Sequence, residues 1–398
     1  MSYNFDQIIE RRGSNSLKWQ KYPEDVLPLW VADMDFAAPE PITLALRQKV
    51  EHGIFGYEMP SRQLAETVAA RMQKLYGWRV PPEAVVATPG VVAGFNLAAR
   101  AVCTAGQGIL VQPPVYPPFL SVHTDKELVR QDAPLSLVVK NGDLHYSVDL
   151  DRFEQAIHSG GTRTGMFLLC NPHNPTGQAY SRSDLTRMAE ACLKNGVTIC
   201  SDEIHSELLP GGVEHFPLAA LDPEVGNHTI TLIAPSKTFN VPGLFCGFAI
   251  IPNRELLERY KTALLQNALH VSSLGLAAAQ AAYSGACDDW LEALNIYLKG
   301  NRDFLVETIR HEFSGIRTTQ PEATYLAWLD CNELVRSGRI SGTPHEFFLK
   351  QARVALNEGR EFGPGGEGFV RLNFGCPRKT LEKALQLMKT ASAGRSSP

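Results

Sequence analysis

The sequence predicts an α/β fold in which a large, mostly parallel sheet is flanked by helices, together with a smaller α+β domain. Short apolar runs, many of them β-branched, alternate with segments of helical spacing through the middle of the chain. This alternation is typical of parallel strands joined by crossover helices. After Gly285 the pattern changes to a long helical segment followed by further strand-like runs. The 398 residues suffice for two domains.

Six short apolar runs are predicted to be buried strands of the large sheet, because each is followed by turn or helix-start residues. They lie at 85–87, 109–112, 166–170, 197–200, 229–233 and 248–251.

Three segments show the spacing of helices that bury one face. Apolar residues recur over 64–75 behind Ser61, a good N-cap, and again over 185–192 before the stop signal at Gly196. A longer segment, 290–311, opens the second part of the chain.

The N- and C-terminal segments are predicted to form the smaller domain. Strand-like runs at 323–329 and 369–374 surround a predicted helix at 344–356, and the first 40 or so residues are expected to pack there. The predicted division is an N-terminal segment 1–45, a large domain 46–287, a small domain 288–390 and a frayed tail 391–398.

Composition excludes several classes of function. A formal charge of −4 gives no basic surface for nucleic acid, and no apolar run approaches the roughly 20 residues that span a bilayer. With no signal segment in view, we expect a cytosolic protein that binds neither nucleic acid nor membrane. Eight scattered cysteines without a Cys-x-x-Cys pair predict buried thiols, and the histidines show no metal-binding spacing.

Lys237 lies directly after the apolar run 229–233, in Ala-Pro-Ser-Lys-Thr-Phe-Asn. Taken alone, a lysine is most often a solvated surface charge. At the end of a buried strand, however, desolvation lowers the pKa of the amine, which then serves as a nucleophile and a base near neutral pH. The chemistry that this position suggests is a Schiff base with an aldehyde cofactor.

Polar residues also follow three other strands, at the edge where parallel sheets bind ligands. Gly90 opens a helix whose free N–H groups suit a phosphate, and two Asn-Pro units hold Asn174 in a rigid loop. Asp202 ends an apolar strand, where a carboxylate needs a positive partner such as a protonated pyridine nitrogen. Taken singly, each residue fits an ordinary structural feature instead: Gly90 a strand–helix turn, Asn174 a surface loop and Asp202 a helix N-cap. Together they predict a cofactor site.

The order of these motifs resembles the pyridoxal-phosphate enzymes of fold type I, the aspartate aminotransferase superfamily, over nearly the whole chain. The resemblance rests on Asn-Pro-x-Asn-Pro-Thr-Gly at 171–177, Asp-Glu at 202–203 and Ser-Lys at 236–237. The segments 28–36, 55–57, 113–119, 234–244 and 371–375 are similar to the C–S lyase branch. That branch holds cystalysin-like cysteine lyases, bacterial cystathionine β-lyases and the maltose-regulon modulator.

The resemblance implies a role in binding pyridoxal 5′-phosphate for five residues. Lys237 would form the Schiff base, and Asp202 would keep the pyridine nitrogen protonated. Asn174 would bond the phenolate oxygen of the ring, with His205 close by in a less certain role. Tyr116 would stack on the ring.

The phosphate would be held by the N–H groups of Val91 and Val92 and by Ser236. Tyr57 would reach the phosphate of the neighbouring subunit, which makes the expected active unit a homodimer with its catalytic site at the interface. Two departures weaken this cradle: Ala234 replaces a common serine or threonine, and the segment 245–246 lacks a common arginine. Looser cofactor retention is therefore expected.

For the substrate, the resemblance implies that Arg371 clamps the carboxylate bidentately, with Ala32 beside it. Lys237, with Asp202 and Tyr57 as the other catalytic residues, would carry out β-elimination. Cystathionine, cysteine or an S-substituted cysteine would yield a thiol, pyruvate and ammonia. An aminotransferase uses the same residues and stays an alternative. A regulatory protein that binds a transcription regulator is a further alternative.

Overall fold

The computed structural model describes residues 3–125 and 127–393. Within them the strands β1 to β15 are, in chain order, Leu27–Pro28, Val85–Thr88, Gly108–Val111, Val129–Asp132, Ser136–Lys140, Asp143–Ser147, Thr164–Cys170, Thr198–Asp202, Thr229–Ile233, Gly247–Ile250, Arg317–Thr318, Leu326–Asp330, Val354–Ala355, Asn357–Glu358 and Phe369–Asn373. The α-helices α1 to α14 are Leu17–Gln20, Glu40–His52, Arg62–Tyr76, Val91–Val102, Leu150–Ile157, Arg182–Lys194, Pro223–Asn227, Pro235–Thr238, Arg254–Gln266, Ser273–Tyr283, Asp288–Glu312, Asn332–Arg336, Pro344–Phe347 and Arg378–Ala393.

The large sheet has seven strands in the order β2-β10-β9-β8-β7-β3-β4. Its neighbouring strands pair in parallel, except that β10 runs antiparallel to both β2 and β9. The prediction of a mostly parallel sheet is therefore confirmed, and all six predicted strands are present with ends that differ by at most two residues.

Alternate residues of the central strands pack into two different cores. In β7, Met166 and Leu168 join a cluster with α4 and α9, whereas Phe167 and Leu169 join a cluster with α5 and α6. Because successive side chains of a strand point to opposite faces, helices cover the sheet on both sides, as predicted.

The predicted helix ends agree with the structure. The Ser61 side chain accepts a hydrogen bond of 3.1 Å from the N–H of Leu64, which confirms it as the N-cap of α3. Helix α6 ends at Lys194 with Asn195 as its C-cap, and the following Gly196 has a φ of 63°, a left-handed conformation that glycine adopts at little cost.

The smaller sheet is antiparallel, in the order β11-β12-β15-β14, and the N-terminal segment joins its end of the molecule. That connection is the parallel pairing of β1 with β13. The domain boundaries themselves stay a prediction.

Two details of the prediction for this region were wrong. The helix expected at 344–356 is α13 followed by a π-helical turn, Phe348–Ala352, and it stops there because Arg353 takes a φ of 55° and β13 leaves to pair with the N-terminal strand. The strand expected from 323 begins only at Leu326, after a turn in which Thr324 has a φ of 68°. Of the tail predicted to fray, 391–393 belong to α14, and 394–398 lie outside the described residues.

All eight cysteines are buried thiols, as predicted. None of the helices in the described part of the chain is long and apolar enough to cross a membrane.

Candidate active site

A cavity of about 460 Å³ lies where the carboxyl ends of the large sheet's strands meet the smaller sheet. All of the predicted site residues except one line it: Ala32, Val91, Val92, Tyr116, Asn174, Asp202, His205, Ser236, Lys237 and Arg371. The exception is Tyr57, which is fully exposed in the loop between α2 and α3. The geometry of the ten lining residues decides which chemistry the cavity supports.

Lys237 lies in α8, directly beyond β9, and its Nζ donates a hydrogen bond of 2.6 Å to the carbonyl oxygen of Ala32. The pKa of the amine is lowered to about 8, chiefly by burial; the guanidinium of Arg371 adds to the shift, whereas Asp33 and Asp202 oppose it. A substantial neutral fraction near physiological pH suits both nucleophilic attack on an aldehyde and proton abstraction.

Asp202 is the last residue of β8 and is almost fully buried. Its Oδ1 accepts a hydrogen bond of 3.1 Å from the N–H of Ile204, and no lysine or arginine of the described residues forms an ion pair with it. Burial raises its pKa to about 7. A buried carboxyl without an ion-pair partner is well placed to receive a protonated ring nitrogen, which would lower that pKa again.

Arg371 lies in β15 and is 4 % exposed. Its Nη1 donates to Oδ1 of Asn174 at 2.9 Å, and its Nη2 donates to the carbonyl of Trp30 at 2.9 Å and to Asn357. Burial lowers its pKa to about 10, and no carboxylate of the described residues pairs with it. A buried guanidinium that only neutral groups contact is a binding site for a ligand carboxylate.

The orientation of the Asn174 amide follows from this contact. Because its oxygen accepts from Arg371, its NH₂ group is left to donate. A donor at this position matches the phenolate oxygen that the resemblance implies.

The start of α4 also lines the cavity and offers backbone N–H groups. Gly90, with a φ of 101° and open space where a Cβ would stand, precedes the 12-residue helix α4. The N–H groups of Val91 and Val92 belong to its first turn and lack acceptors within the helix. Together with the Ser236 hydroxyl they form a cradle that suits a phosphate.

The aromatic residues around these groups are neutral. Burial lowers the pKa of His205 to about 3, and its Nδ1 is buried without a hydrogen-bond partner. Tyr116 is half-buried, its ring centroid is 6.2 Å from that of Phe119, and burial raises its pKa. The position of Tyr116 in the lining is compatible with stacking on a planar ring.

Sequence reasoning missed two residues that position the site. The hydroxyl of Tyr325 donates to the Ala32 carbonyl at 2.9 Å, the same oxygen that receives Lys237. Asn357 lines the cavity and accepts from Arg371. Their only sequence signal is their location beside strands of the smaller sheet.

A reactive amine, a buried carboxyl without an ion-pair partner, an amide donor and a phosphate cradle at successive strand ends fit pyridoxal phosphate. The fold and this site therefore define a pyridoxal-phosphate enzyme of fold type I. The family model "Aminotransferase class I and II" matches residues 24–387, and the chain belongs to that family.

Relatives place the chain more narrowly. It is 39% identical to "Cystathionine beta-lyase PatB" of Bacillus subtilis, over 98% of this chain and 99% of that protein. The crystal structure of a pyridoxal-phosphate-bound C–S lyase from Staphylococcus hominis has a TM-score of 0.90 and 31% identity, with 98% of both chains covered. Cystalysin from Treponema denticola, which contains the same cofactor, has a TM-score of 0.89 and 28% identity, with 98% and 99% covered. The predicted family, cofactor and enzyme branch are confirmed.

Proposed function

We propose that the chain is a carbon–sulfur β-lyase that cleaves cystathionine, cysteine or another S-substituted L-cysteine. The proposal rests on one observation: a carboxylate-binding group and a basic amine line the same cavity. Arg371 presents a guanidinium without a carboxylate partner, and Lys237 presents an amine whose pKa is lowered to about 8. An amino acid bound through its carboxylate would expose its α-carbon to this base. The C–S lyases among the relatives favour elimination over amino transfer.

Pyridoxal phosphate, when bound, supplies an aldehyde that condenses with the substrate's amino group and a ring that withdraws charge from Cα. Asp202 would hold the ring nitrogen protonated, and the NH₂ group of Asn174 would donate to the phenolate oxygen. The first-turn N–H groups of α4 and the Ser236 hydroxyl would hold the phosphate.

The protein's own residues then direct the reaction. Arg371 holds the substrate carboxylate and Lys237 removes the proton from Cα, after which the Cβ–S bond breaks and its electron pair leaves with sulfur. The thiolate takes up a proton, and hydrolysis of the remaining three-carbon fragment gives pyruvate. The balance is R–S–CH₂–CH(NH₃⁺)–COO⁻ + H₂O → R–SH + CH₃–CO–COO⁻ + NH₄⁺, without an oxidant or reductant.

A homodimer is part of the proposal. The loop that follows α2 exposes Ile54, Phe55, Tyr57 and Met59, a concentration of apolar surface that is unusual for a free monomer. Phe245 lines the cavity and is also 66 % exposed, so a second copy could cover the cavity mouth. Light scattering would test the dimer, and loss of cofactor affinity in Tyr57→Phe without loss of dimer would support the role of the hydroxyl. A cytosolic location likewise stays a prediction.

The deciding experiment is a product assay on the purified, cofactor-loaded enzyme. L-cystathionine, L-cysteine and S-methyl- and S-benzyl-L-cysteine are each incubated with the enzyme, and pyruvate, ammonia and thiol are measured. Equal amounts of the three products are expected, and Lys237→Ala should lower the rate by roughly 10²- to 10⁴-fold. Amino transfer to a keto acid without ammonia would identify an aminotransferase instead. Pyruvate from none of the four compounds would end the lyase proposal.

A further inference from the structure

On the basis of the proposed lyase function, we propose that the sulfur substituent of the preferred substrate is uncharged and apolar. S-alkyl or S-aryl cysteines would then be better substrates than cystathionine, whose far end carries both an ammonium and a carboxylate. The inference comes from the charges and the walls of the cavity.

Each charged side chain that lines the cavity already has a task in the proposed reaction. Among the described residues these are Asp202, Lys237 and Arg371. They serve the ring nitrogen, the α-carbon and the substrate's own carboxylate. His205 also lines the cavity, but burial lowers its pKa to about 3 and leaves it neutral. No cation is left for a second carboxylate, and no anion for a second ammonium.

The cavity wall beside the carboxylate clamp is apolar. The ring centroid of Phe362 lies 5.1 Å from the guanidinium carbon of Arg371, and Phe362 is fully buried. Trp30, Pro118 and Phe245 are further apolar residues of the cavity lining. A substituent that leads away from a carboxylate held by Arg371 would meet these side chains. Burial of an apolar group there is favourable, whereas an unpaired ion pays a large desolvation cost.

A further charge beside this wall, on Glu361, has the wrong sign to bind a distal carboxylate. Asn357, which lines the cavity and contacts Arg371, donates a hydrogen bond of 3.1 Å to Oε2 of Glu361. Glu361 is exposed, and no ion pair within the described residues neutralises it. Its negative charge would repel the far carboxylate of cystathionine at the cavity mouth.

If a second subunit covers the cavity mouth with its loop 54–59, that loop brings no free cation to bind a second carboxylate. The loop's exposed side chains at 54–59 are apolar or aromatic except for Glu58, which is paired with Lys49 of its own chain. Lys21 has its Nζ 4.1 Å from the ring centroid of Trp30, but it is exposed and does not line the cavity.

The test compares kcat/KM for pyruvate release from S-methyl-L-cysteine, S-benzyl-L-cysteine, L-cysteine and L-cystathionine at saturating pyridoxal phosphate. The S-benzyl compound should exceed cystathionine by at least about tenfold, mainly through a lower KM. A value for cystathionine equal to or above that of both S-substituted compounds would overturn the inference. If none of the four releases pyruvate, the proposed lyase function fails instead, so the two failures are distinguishable.

A variant of the exposed Glu361 tests the expected repulsion between its charge and the far carboxylate of cystathionine. Glu361→Gln removes the charge and keeps an oxygen that Asn357 can donate to, and the exposed position protects folding. The variant should raise kcat/KM for cystathionine by roughly two- to fivefold and leave S-methyl-L-cysteine unchanged. Glu367→Gln, an exposed change of equal charge on the same segment, is the matched control. An equal rise for both substrates, an equal rise in the control, or no rise at all would contradict the placement of this charge.

Discussion

The guanidinium of Arg371 donates a hydrogen bond of 2.9 Å to the side-chain oxygen of Asn174, which is 197 positions away in the sequence. Both residues are buried, at 4 % and 5 % exposure. The bond joins β15 of the smaller sheet to the loop that follows β7 of the large sheet. It also couples two tasks, because the proposed clamp for the substrate fixes the amide proposed to hold the cofactor.

This coupling predicts non-additive mutations. Arg371→Lys should lower kcat/KM by roughly 10- to 100-fold, because an ammonium cannot replace the two-pronged guanidinium. Asn174→Ala should also lower kcat/KM, and the double variant should fall short of the summed losses by about 1–2 kcal/mol. Pyruvate release measures all three. Asn174→Ala combined with the distant Lys74→Ala is the control and should be additive; additivity in the contacting pair would contradict the coupling.

The raised pKa of Asp202 should make the stability of the cofactor-free protein depend on pH. Burial raises the carboxyl's pKa from 3.8 to about 7, so between these values the folded protein holds a proton that the unfolded chain has released. The free energy of unfolding therefore falls by about 1.4 kcal/mol per pH unit on going up through this window, and by as much as about 4 kcal/mol in all. Above pH 7 the effect is complete.

Asp202→Asn removes this penalty. The cofactor-free variant should be more stable than the cofactor-free wild type, with a difference in free energy of unfolding that grows from pH 4 to pH 7 and then stays level. Urea titrations at a series of pH values measure it, and Asp289→Asn, an exposed change on α11, provides the control. With cofactor the order should reverse, because the variant lacks the anion that pairs with the ring nitrogen. A pH-independent difference would argue against the raised pKa.

Much of the site could be predicted because its residues follow strands at successive positions along the chain. The apolar runs locate the strands, and parallel pairing brings their carboxyl ends to one edge, so Asn174, Asp202 and Lys237 meet whatever the details of packing. Local sequence carries this information without reference to the rest of the chain.

Contacts between the two sheets could not be predicted in this way. Tyr325 and Lys237 share the carbonyl of Ala32 only because three distant segments converge, and no local pattern records that convergence. The wrong helix end has the same origin. β13 leaves the helical pattern because its backbone pairs with β1, more than 300 positions earlier in the chain.

The side chain of Asn240 holds the backbone of the segment that carries Ala32. Its side chain donates to the carbonyls of Met34 and Phe36 at 2.9 and 2.7 Å, and it accepts from the N–H of Met34 at 2.9 Å. Asn240→Ala removes all three bonds and places alanine at a φ of 55°, so a loss of about 3–4 kcal/mol is expected. Urea unfolding measures this loss.

The same variant should affect catalysis, because the carbonyl that receives Lys237 lies two residues before Met34. A fall in kcat larger than any change in KM is expected, since the base and not the substrate clamp is displaced. Asn267→Ala, which loses only a bond of 2.7 Å to its own helix, is the control and should cost about 1 kcal/mol or less. Similar losses of stability in both variants would contradict the proposed role of Asn240.

A buried ion pair joins α3 to the segment that follows β8. Arg71 of α3 pairs with Glu207, and both side chains are nearly inaccessible; Arg71 also donates to Asp288 at 3.0 Å. Arg71→Met leaves the Glu207 carboxylate buried without its cation and should cost about 3–5 kcal/mol of unfolding free energy. Lys74 forms a bond of 2.6 Å to the same Asp288 but is 64 % exposed, so Lys74→Ala should cost at most about 1 kcal/mol.

Adding Glu207→Gln to Arg71→Met should recover part of the loss, because the uncompensated charge is then gone. Urea unfolding of the four proteins gives the comparison, and a loss in Lys74→Ala equal to that in Arg71→Met would show that burial does not set the difference.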